Sequence, residues 1–225
     1  MYLRIPNLLS EEGLQFVDQL VAASQFVDGS ATTGAPTKSA KNNLQIDLAD
    51  NPNREKFLQM MSTAVNANPA MRAAALPRRM SSPLLSKYEQ GMSYGWHIDN
   101  PIMSSMGSPI RTDIACTVFL SDSSSYEGGE LVVRTSSGDM RVKFNRGDAF
   151  IYPATSRHQV LEVTSGERLA IVFWIQSMVS DAGKRETLHD LSIAYDRVMQ
   201  ESPKSEALQI IQRAQTNLLR RWGQV

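Results

Sequence analysis

The chain has little cysteine and no excess of charge of either sign. Cys116 is the only cysteine among 225 residues, which excludes an intramolecular disulfide and favours a reducing compartment. Lysine plus arginine and aspartate plus glutamate number 23 each, so the formal net charge is zero. This balance argues against a general nucleic-acid or anionic-membrane footprint, and we expect neither nucleic acid nor membrane as a partner.

Long apolar runs are also missing. No stretch approaches the roughly 20 apolar residues that a membrane-spanning helix needs. The first residues, MYLRIPNLLSEEG, lack the charged region and the apolar core of a signal peptide. We therefore expect a cytoplasmic protein, with either one large domain or one domain and an appendage.

Short apolar runs separated by turn residues fill the region from about residue 114 to residue 176. Several strands at such close spacing predict an antiparallel sandwich or barrel. Cys116 lies inside one run, IACTVFL, where a buried small residue is favoured over a reactive thiol. Apolar residues at helical spacing follow Ser10 near one end of the chain and continue beyond Ser180 at the other, with Pro203 dividing the second pattern into two helices.

Two polar stretches predict loops. Residues 28–43 are rich in glycine, serine, threonine, alanine and lysine, and they form either a plain surface loop or part of a substrate contact. Residues 100–112 contain NPIMSSMGSPIR, which predicts a mobile loop. Because this second stretch directly follows a candidate metal ligand, it is a candidate lid.

The segment YEQGMSYGWHIDN, residues 88–100, carries the strongest functional signal. In a strand, His97 and Asp99 would point to the same face, since side chains alternate between faces. His158 follows the apolar run AFIY, and Arg168 begins another apolar run ten residues later. Two histidines and one carboxylate are the facial triad of non-haem Fe(II) oxygenases. The chain has 3 histidines, and the third, His189, lies in the carboxy-terminal helical pattern.

This order of residues resembles the Fe(II)/2-oxoglutarate-dependent dioxygenases, in particular the prolyl 4-hydroxylase-like branch and its bacterial PKHD-type hydroxylases. The resemblance covers roughly residues 80–176 and rests on Tyr88, Tyr94, His97, Asp99, Gly128, Gly129, Glu130, Leu131, Gly147, Asp148, His158, Arg168 and Trp174. It implies an α+β fold with a mainly β core, a double-stranded β-helix (jelly roll), flanked by amino-terminal helices and a carboxy-terminal helical hairpin. The expected division is a dioxygenase domain over residues 1–180, with its catalytic core at about 80–176, and a helical appendage over residues 181–225.

The resemblance also implies roles for individual residues. His97, Asp99 and His158 would bind Fe(II), and Arg168 would anchor the distal carboxylate of 2-oxoglutarate through two parallel hydrogen bonds. Tyr88 would bond the cosubstrate through its hydroxyl.

The remaining expected contacts include one departure from the pattern. Tyr94 and Trp174 would line the same cavity. Where animal oxygen-sensing relatives carry a second cosubstrate-binding tyrosine, this chain has Phe119. Arg168 would therefore need help from another side chain, for which Thr117 is the candidate.

The implied activity is hydroxylation of an unactivated C–H bond with Fe(II), 2-oxoglutarate, O2 and L-ascorbate. The substrate would be a peptidyl prolyl or lysyl residue, a free amino acid or a small iron-chelating metabolite. Two other classes stay open at this point: a non-catalytic jelly-roll protein that binds a metal or small ligand, and a zinc-dependent hydrolase. The carboxy-terminal helices could form a homodimer.

Overall fold

A computed structural model describes residues 1–32, 40–105 and 107–224, and two facing antiparallel β-sheets form its centre. Five α-helices and seventeen strands are present within these residues. The helices are α1 Glu11–Ala22, α2 Arg54–Ala67, α3 Pro69–Ala75, α4 Ala182–Glu201 and α5 Glu206–Trp222. The strands are β1 Leu3–Ile5, β2 Phe26–Asp28, β3 Lys41–Asn42, β4 Leu44–Ile46, β5 Pro77–Met80, β6 Leu84–Tyr88, β7 Ser93–His97, β8 Ile102–Ser105, β9 Ser108–Arg111, β10 Ile114–Phe119, β11 Glu127–Gly128, β12 Leu131–Thr135, β13 Gly138–Val142, β14 Ala149–Pro153, β15 His158–Val160, β16 Val163–Ser165 and β17 Arg168–Ser177.

In both sheets, most neighbouring strands are not consecutive in the sequence. The large sheet runs β1-β14-β10-β17-β6-β4-β2, and β5 pairs with the far end of β17. The small sheet runs β13-β12-β15-β7-β3, and β11 and β16 form a separate two-stranded sheet. Every pairing is antiparallel, and strands distant in sequence are neighbours in each sheet. The predicted jelly roll with helices at both ends is therefore confirmed.

The central strand β10 separates two apolar cores, because its six residues are all buried. Thr117 and Phe119 face the small sheet, whereas Cys116 and Val118 belong to the core under helices α1, α2 and α3. Alternation of side chains along a strand accounts for this division. Cys116 is fully buried and burial raises the pKa of its thiol, so it is the inert packing residue that its apolar run predicts.

The helices lie outside the sandwich and are tied to it by specific polar contacts. Ser10 caps α1 by accepting a hydrogen bond from the backbone N–H of Gly13, as its position before two glutamates predicts. At the other end, α4 and α5 pack together as the predicted hairpin. The buried Arg185 of α4 donates to the carbonyl oxygens of Val179 and Ser180, each at 2.8 Å, which joins the hairpin to the end of β17.

No helix in the described part of the chain combines the length and the apolar character needed to cross a lipid bilayer.

Both predicted loops contain regular structure. Within residues 28–43, Gly29–Thr32 form a 3-10 turn and β3 pairs with β7, while residues 33–39 lie outside the described residues. Residues 102–111 form the hairpin β8-β9 instead of a loop, with Met106 outside the described residues. The loop predictions were wrong here because serine, proline and glycine do not exclude strands that lie at a sheet edge or form an isolated hairpin. A lid role for the hairpin stays a prediction.

Gly128 is a position where the fold requires glycine, since its φ is +70° and an added Cβ would lie 2.0 Å from the carbonyl oxygen of Glu162. Gly128→Ala is therefore expected to lower the free energy of unfolding by at least about 3 kcal/mol. Gly91 is a matched control, because its φ is +83° but a Cβ there meets no atom within 4 Å. Gly91→Ala should show only the backbone cost of about 1–2 kcal/mol. Chemical denaturation measures both, and equal losses would contradict the close approach at Gly128.

Candidate active site

Two histidines lie side by side on the inner face of the small sheet. β7 and β15 are neighbours, and His97 and His158 are directly paired across them. Their ring centroids are 4.1 Å apart, and both side chains are almost fully buried. The pairing brings together two residues that are 61 positions apart in the chain.

Asp99 completes the group from a position beyond the strand. Its Oδ1 atom lies 3.9 Å from Nε2 of His97 and 3.7 Å from Nε2 of His158. One ligand atom from each of the three residues lies within 4.8 Å of the others. β7 ends at His97, so Asp99 does not share a strand with it, and the alternation expected from the sequence is not what places the carboxylate. The Asp99 carboxylate nevertheless lies with both histidines, as the sequence predicts.

Backbone carbonyl groups orient both imidazole rings. The Nδ1–H of His97 donates to the carbonyl oxygen of Gly95 at 2.8 Å, and the Nδ1–H of His158 donates to that of Ser156 at 3.0 Å. The Nε2 atoms of both rings face Asp99, and a histidine whose Nδ1–H is bonded to a backbone carbonyl binds metal through Nε2. The Oδ2 atom of Asp99 is buried and has no hydrogen-bond partner among the described residues.

Burial sets the protonation of this group. Burial, together with a smaller contribution from the neighbouring His158, lowers the pKa of His97 to about 3. Burial also raises the pKa of Asp99, while His158 and the indole of Trp174 oppose that shift. His97 is thus a neutral imidazole at neutral pH, as metal binding requires. A divalent cation would stabilise the ionised form of Asp99, so this donor set fits Fe(II).

Aromatic side chains hold the histidines in place. The ring of Tyr94 stacks on His97 with centroids 3.6 Å apart, and the rings of Tyr152 and His158 form a T-shaped pair with centroids 5.1 Å apart. On the outer face of the same sheet, the guanidinium groups of Arg134 and Arg157 lie 4.7 and 5.4 Å from the Trp96 ring. Trp96 and Arg157 immediately precede the two histidines, so this outer contact supports their pairing.

Arg168 lies in the same cavity, at the start of β17. It is 2% exposed, and its Cζ atom lies 5.2 Å from the Tyr88 ring and 5.8 Å from the Phe119 ring. Gly129 makes room for the side chain, since an added Cβ there would approach Cδ of Arg168 to 3.1 Å. The hydroxyl of Tyr126 lies against the guanidinium group. The Nε atom has no hydrogen-bond partner in the described structure.

The cavity that these residues share has a volume of about 90 Å³. This is several times the roughly 10–15 Å³ that one water molecule requires. All eight residues selected from the sequence line it: Tyr88, Tyr94, His97, Asp99, Thr117, His158, Arg168 and Trp174. The structure therefore brings together every candidate side chain, although the role of each one stays a prediction.

Among the other lining residues, the sequence interpretation missed the polar side chains of Lys41, Asn43, Gln45 and Tyr152. The first three alternate along β3 and β4 and are buried, so the period-two pattern of polar residues in KNNLQ was the available signal. Burial lowers the pKa of Lys41 to about 8. The Asn43 amide has no hydrogen-bond partner within the described residues, whereas Gln45 donates to Ser86 at 3.1 Å.

Comparisons with known proteins agree with this geometry. The family model described as the 2OG-Fe(II) oxygenase superfamily matches residues 83–176. The chain is 39% identical over 226 residues to a PKHD-type hydroxylase of Saccharophagus degradans, and 36% identical over 225 residues to one of Shewanella sp. strain ANA-3. In both cases the match covers 100% of each chain.

Two solved structures share the fold. An oxidoreductase of the 2OG-Fe(II) oxygenase family from Burkholderia pseudomallei has a TM-score of 0.59 at 14% identity, covering 78% of this chain and 84% of that one. A prolyl hydroxylase from Trichoplax adhaerens, in complex with a hypoxia inducible factor peptide fragment, has a TM-score of 0.58 at 17% identity, covering 85% of this chain and 86% of that one. At such identities the likeness concerns the fold alone.

Removing one of the two buried imidazoles is expected to abolish tight Fe(II) binding if they are the ligands. His97→Ala and His158→Ala should each weaken Fe(II) affinity by more than about 100-fold, because two donors cannot hold the ion as three can. His189→Ala is the matched control, since this third histidine lies on α4 away from the cavity. Anaerobic equilibrium dialysis measures the affinities. Retention of Fe(II) by His158→Ala would refute the assigned site.

Proposed function

The chain belongs to the PKHD-type hydroxylases of the 2OG-Fe(II) oxygenase superfamily, and from that premise we propose which residues carry the reaction and which substrates it serves. It is an Fe(II)- and 2-oxoglutarate-dependent hydroxylase that uses O2. We propose that His97, Asp99 and His158 hold the iron and that Arg168 binds the distal carboxylate of 2-oxoglutarate. The observation that carries this proposal is the presence of both features in one small buried cavity.

Iron and 2-oxoglutarate, when bound, would supply the oxidation, with one oxygen atom of O2 going to succinate, formed with loss of CO2, and the other to the substrate C–H bond. The protein's own residues do three things. The two carbonyl-oriented imidazoles and the Asp99 carboxylate would hold the iron. The guanidinium group of Arg168 orients the cosubstrate along the cavity. The apolar lining residues Leu131, Val160, Val172 and Trp174 restrict water.

Charge separation supports this orientation of the cosubstrate. Asp99 and Arg168 both line the cavity, Asp99 beside Trp174 and Arg168 six residues away at the start of β17, so the two charges are separated along the strand. A dicarboxylate that chelates the iron at one end would meet a buried guanidinium group at the other. A contact of this kind is stronger than a surface ion pair, because the charges are shielded from water.

For the substrate, we propose a peptidyl prolyl or lysyl residue or a related amino-acid-like molecule. The support is the polar wall of Lys41, Asn43 and Gln45, which offers an ammonium group and amide groups to a polar acceptor. A relative by fold, the Trichoplax adhaerens prolyl hydroxylase, was solved with a peptide fragment. Untargeted mass spectrometry of extracts treated with the loaded enzyme should find a product that has gained one oxygen atom. Products that lack any amino-acid unit would contradict this substrate class.

Three other predictions belong to the whole protein. We propose that α4 and α5 form a homodimer interface, supported by the exposed side chains of Ile193, Met199 and Ile210. A monomeric mass in light scattering at micromolar concentration would refute it. The division at residue 180, the use of L-ascorbate and the cytoplasmic location stay predictions.

Arg168→Lys is expected to raise the KM for 2-oxoglutarate by at least about 10-fold, because lysine lacks the two parallel donors of a guanidinium group. Asp99→Ala is expected to abolish turnover at any cosubstrate concentration. Succinate release measures both. Arg54→Lys is the control, since Arg54 lies on α2 and pairs with Glu55 at the surface. Unchanged cosubstrate dependence in Arg168→Lys would overturn the assignment of this residue.

A further inference from the structure

Lys41 is the charged residue of the polar wall, and it lies close to one of the two cavity histidines. β3 pairs with β7 so that Lys41 is directly opposite Tyr94. The Nζ atom of Lys41 lies 5.5 Å from the centroid of the Tyr94 ring, and that ring stacks on His97 with centroids 3.6 Å apart. The positive charge of Lys41 also acts on His97. Tyr94 is therefore the neighbour of both the ammonium group and a proposed metal ligand.

The ammonium group of Lys41 has little access to water. Lys41 is 9% exposed, and burial lowers its pKa to about 8 although the exposed Asp28 carboxylate acts in the opposite direction. The ammonium form still predominates at neutral pH. An anionic group brought by a ligand would stabilise this poorly hydrated positive charge.

The balance of charge in the cavity also favours an anionic ligand. Among the described residues that line it, Lys41, Asp99 and Arg168 carry charge when both histidines are neutral. Asp99 and Arg168 balance each other, and Fe(II) and a 2-oxoglutarate dianion, when bound, would do the same. Lys41 then leaves one positive charge in excess among the lining groups. Because excess charge in a cavity with little water is unfavourable, a substrate that adds one negative charge is preferred.

We propose that Lys41 binds a carboxylate group of the substrate and thereby selects amino-acid-like substrates that carry a carboxylate near the oxidised carbon. A carboxylate supplies the single negative charge that balances Lys41, whereas a phosphate group carries up to two at neutral pH. The inference rests on the proposed function, because it requires iron and 2-oxoglutarate in the same cavity. The carboxylate has two sources: the main-chain carboxylate of a free amino acid or chain end, and the side chain of an aspartate or glutamate beside the hydroxylated residue of a peptide.

Amidation of a cell extract tests this proposal before the substrate is identified. Coupling with methylamine converts the carboxylates of the extract into uncharged methylamides, and a second portion passes through the same procedure without the coupling reagent. Fresh 2-oxoglutarate and the Fe(II)-loaded protein are then added to each portion. The yield of the product that has gained one oxygen atom should be at least about 10-fold lower in the amidated portion, the usual effect of losing a hydrogen bond to a charged group.

Mass spectrometry of the product distinguishes the two sources of the carboxylate. An oxidised free amino acid or an oxidised carboxy-terminal residue would identify a main-chain carboxylate. A product peptide with its new oxygen atom next to an aspartate or glutamate would identify a side-chain carboxylate. A product with no carboxylate in the oxidised residue or its neighbours would overturn the inference.

Variants at position 41 test whether the carboxylate meets Lys41 itself. Lys41→Met keeps the length of the side chain and removes its charge, so it should raise the KM for the identified substrate by at least about 10-fold with a smaller change in kcat. Lys41→Arg keeps the charge and should lose less affinity than Lys41→Met. Lys56→Met is the matched control, because Lys56 also lies near an aromatic ring, 4.5 Å from the Phe16 centroid, but on α2 and not in the cavity wall.

Cosubstrate binding separates this inference from the proposed function. Anaerobic titration of the Fe(II)-loaded protein, followed by its visible charge-transfer absorbance, should give the same 2-oxoglutarate dissociation constant for the wild type and Lys41→Met. A wild type that binds no 2-oxoglutarate, or that oxidises nothing in the extract, would refute the proposed function. Equal product from both portions of the extract, or an unchanged substrate KM in Lys41→Met, would overturn only the role of Lys41. Weaker 2-oxoglutarate binding by Lys41→Met would assign the ammonium group to the cosubstrate and would overturn the inference as well.

Discussion

The burial of two imidazoles and a carboxylate at one point is the constraint on which the rest of the structure depends. Removing such groups from water is unfavourable unless they gain partners, and the carboxylate has a buried oxygen atom with none among the described residues. The Nδ1 atoms of His97 and His158 are satisfied by backbone carbonyl groups, which leaves the Nε2 atoms for a cation. The pairing of β7 with β15 must be maintained for this arrangement to exist.

The two sheets contribute different halves of the cavity. The small sheet carries the histidines, whereas Arg168, Tyr88, Thr117 and Tyr152 come from the large sheet. Facing sheets in a sandwich hold their inner side chains at a nearly constant separation. The distance between the metal end and the guanidinium end is therefore set by packing of the two sheets and not by any one loop. Glycines at 128 and 129 allow the backbone to approach closely at the guanidinium end.

The sequence relatives identify the family and its cofactors, whereas the cavity geometry concerns the substrate. Whole-length identity of 36–39% establishes the family and its cofactors, while identities of 14–17% to solved structures concern only the fold. Neither group of comparisons identifies the substrate that this chain hydroxylates. The polar wall formed by Lys41, Asn43 and Gln45 is the feature of this chain that bears on the identity of the substrate. Its side chains project between the sheets because β3 and β4 belong to the small and the large sheet respectively.

In the sequence by itself, apolar periodicity determined an antiparallel sandwich or barrel with terminal helices, because such patterns are local signals. The resemblance carried by the His-x-Asp, His and Arg order added the jelly roll and the eight cavity residues. The sequence also predicted that His97 and Asp99 converge, which the structure confirms although β7 ends at His97. It predicted loops where β3 and the β8-β9 hairpin form. Only the tertiary structure decided that Lys41, Asn43 and Tyr152 line the cavity. Their positions depend on which distant strands pair and in which register, and one residue of register shift would turn each side chain to the opposite face.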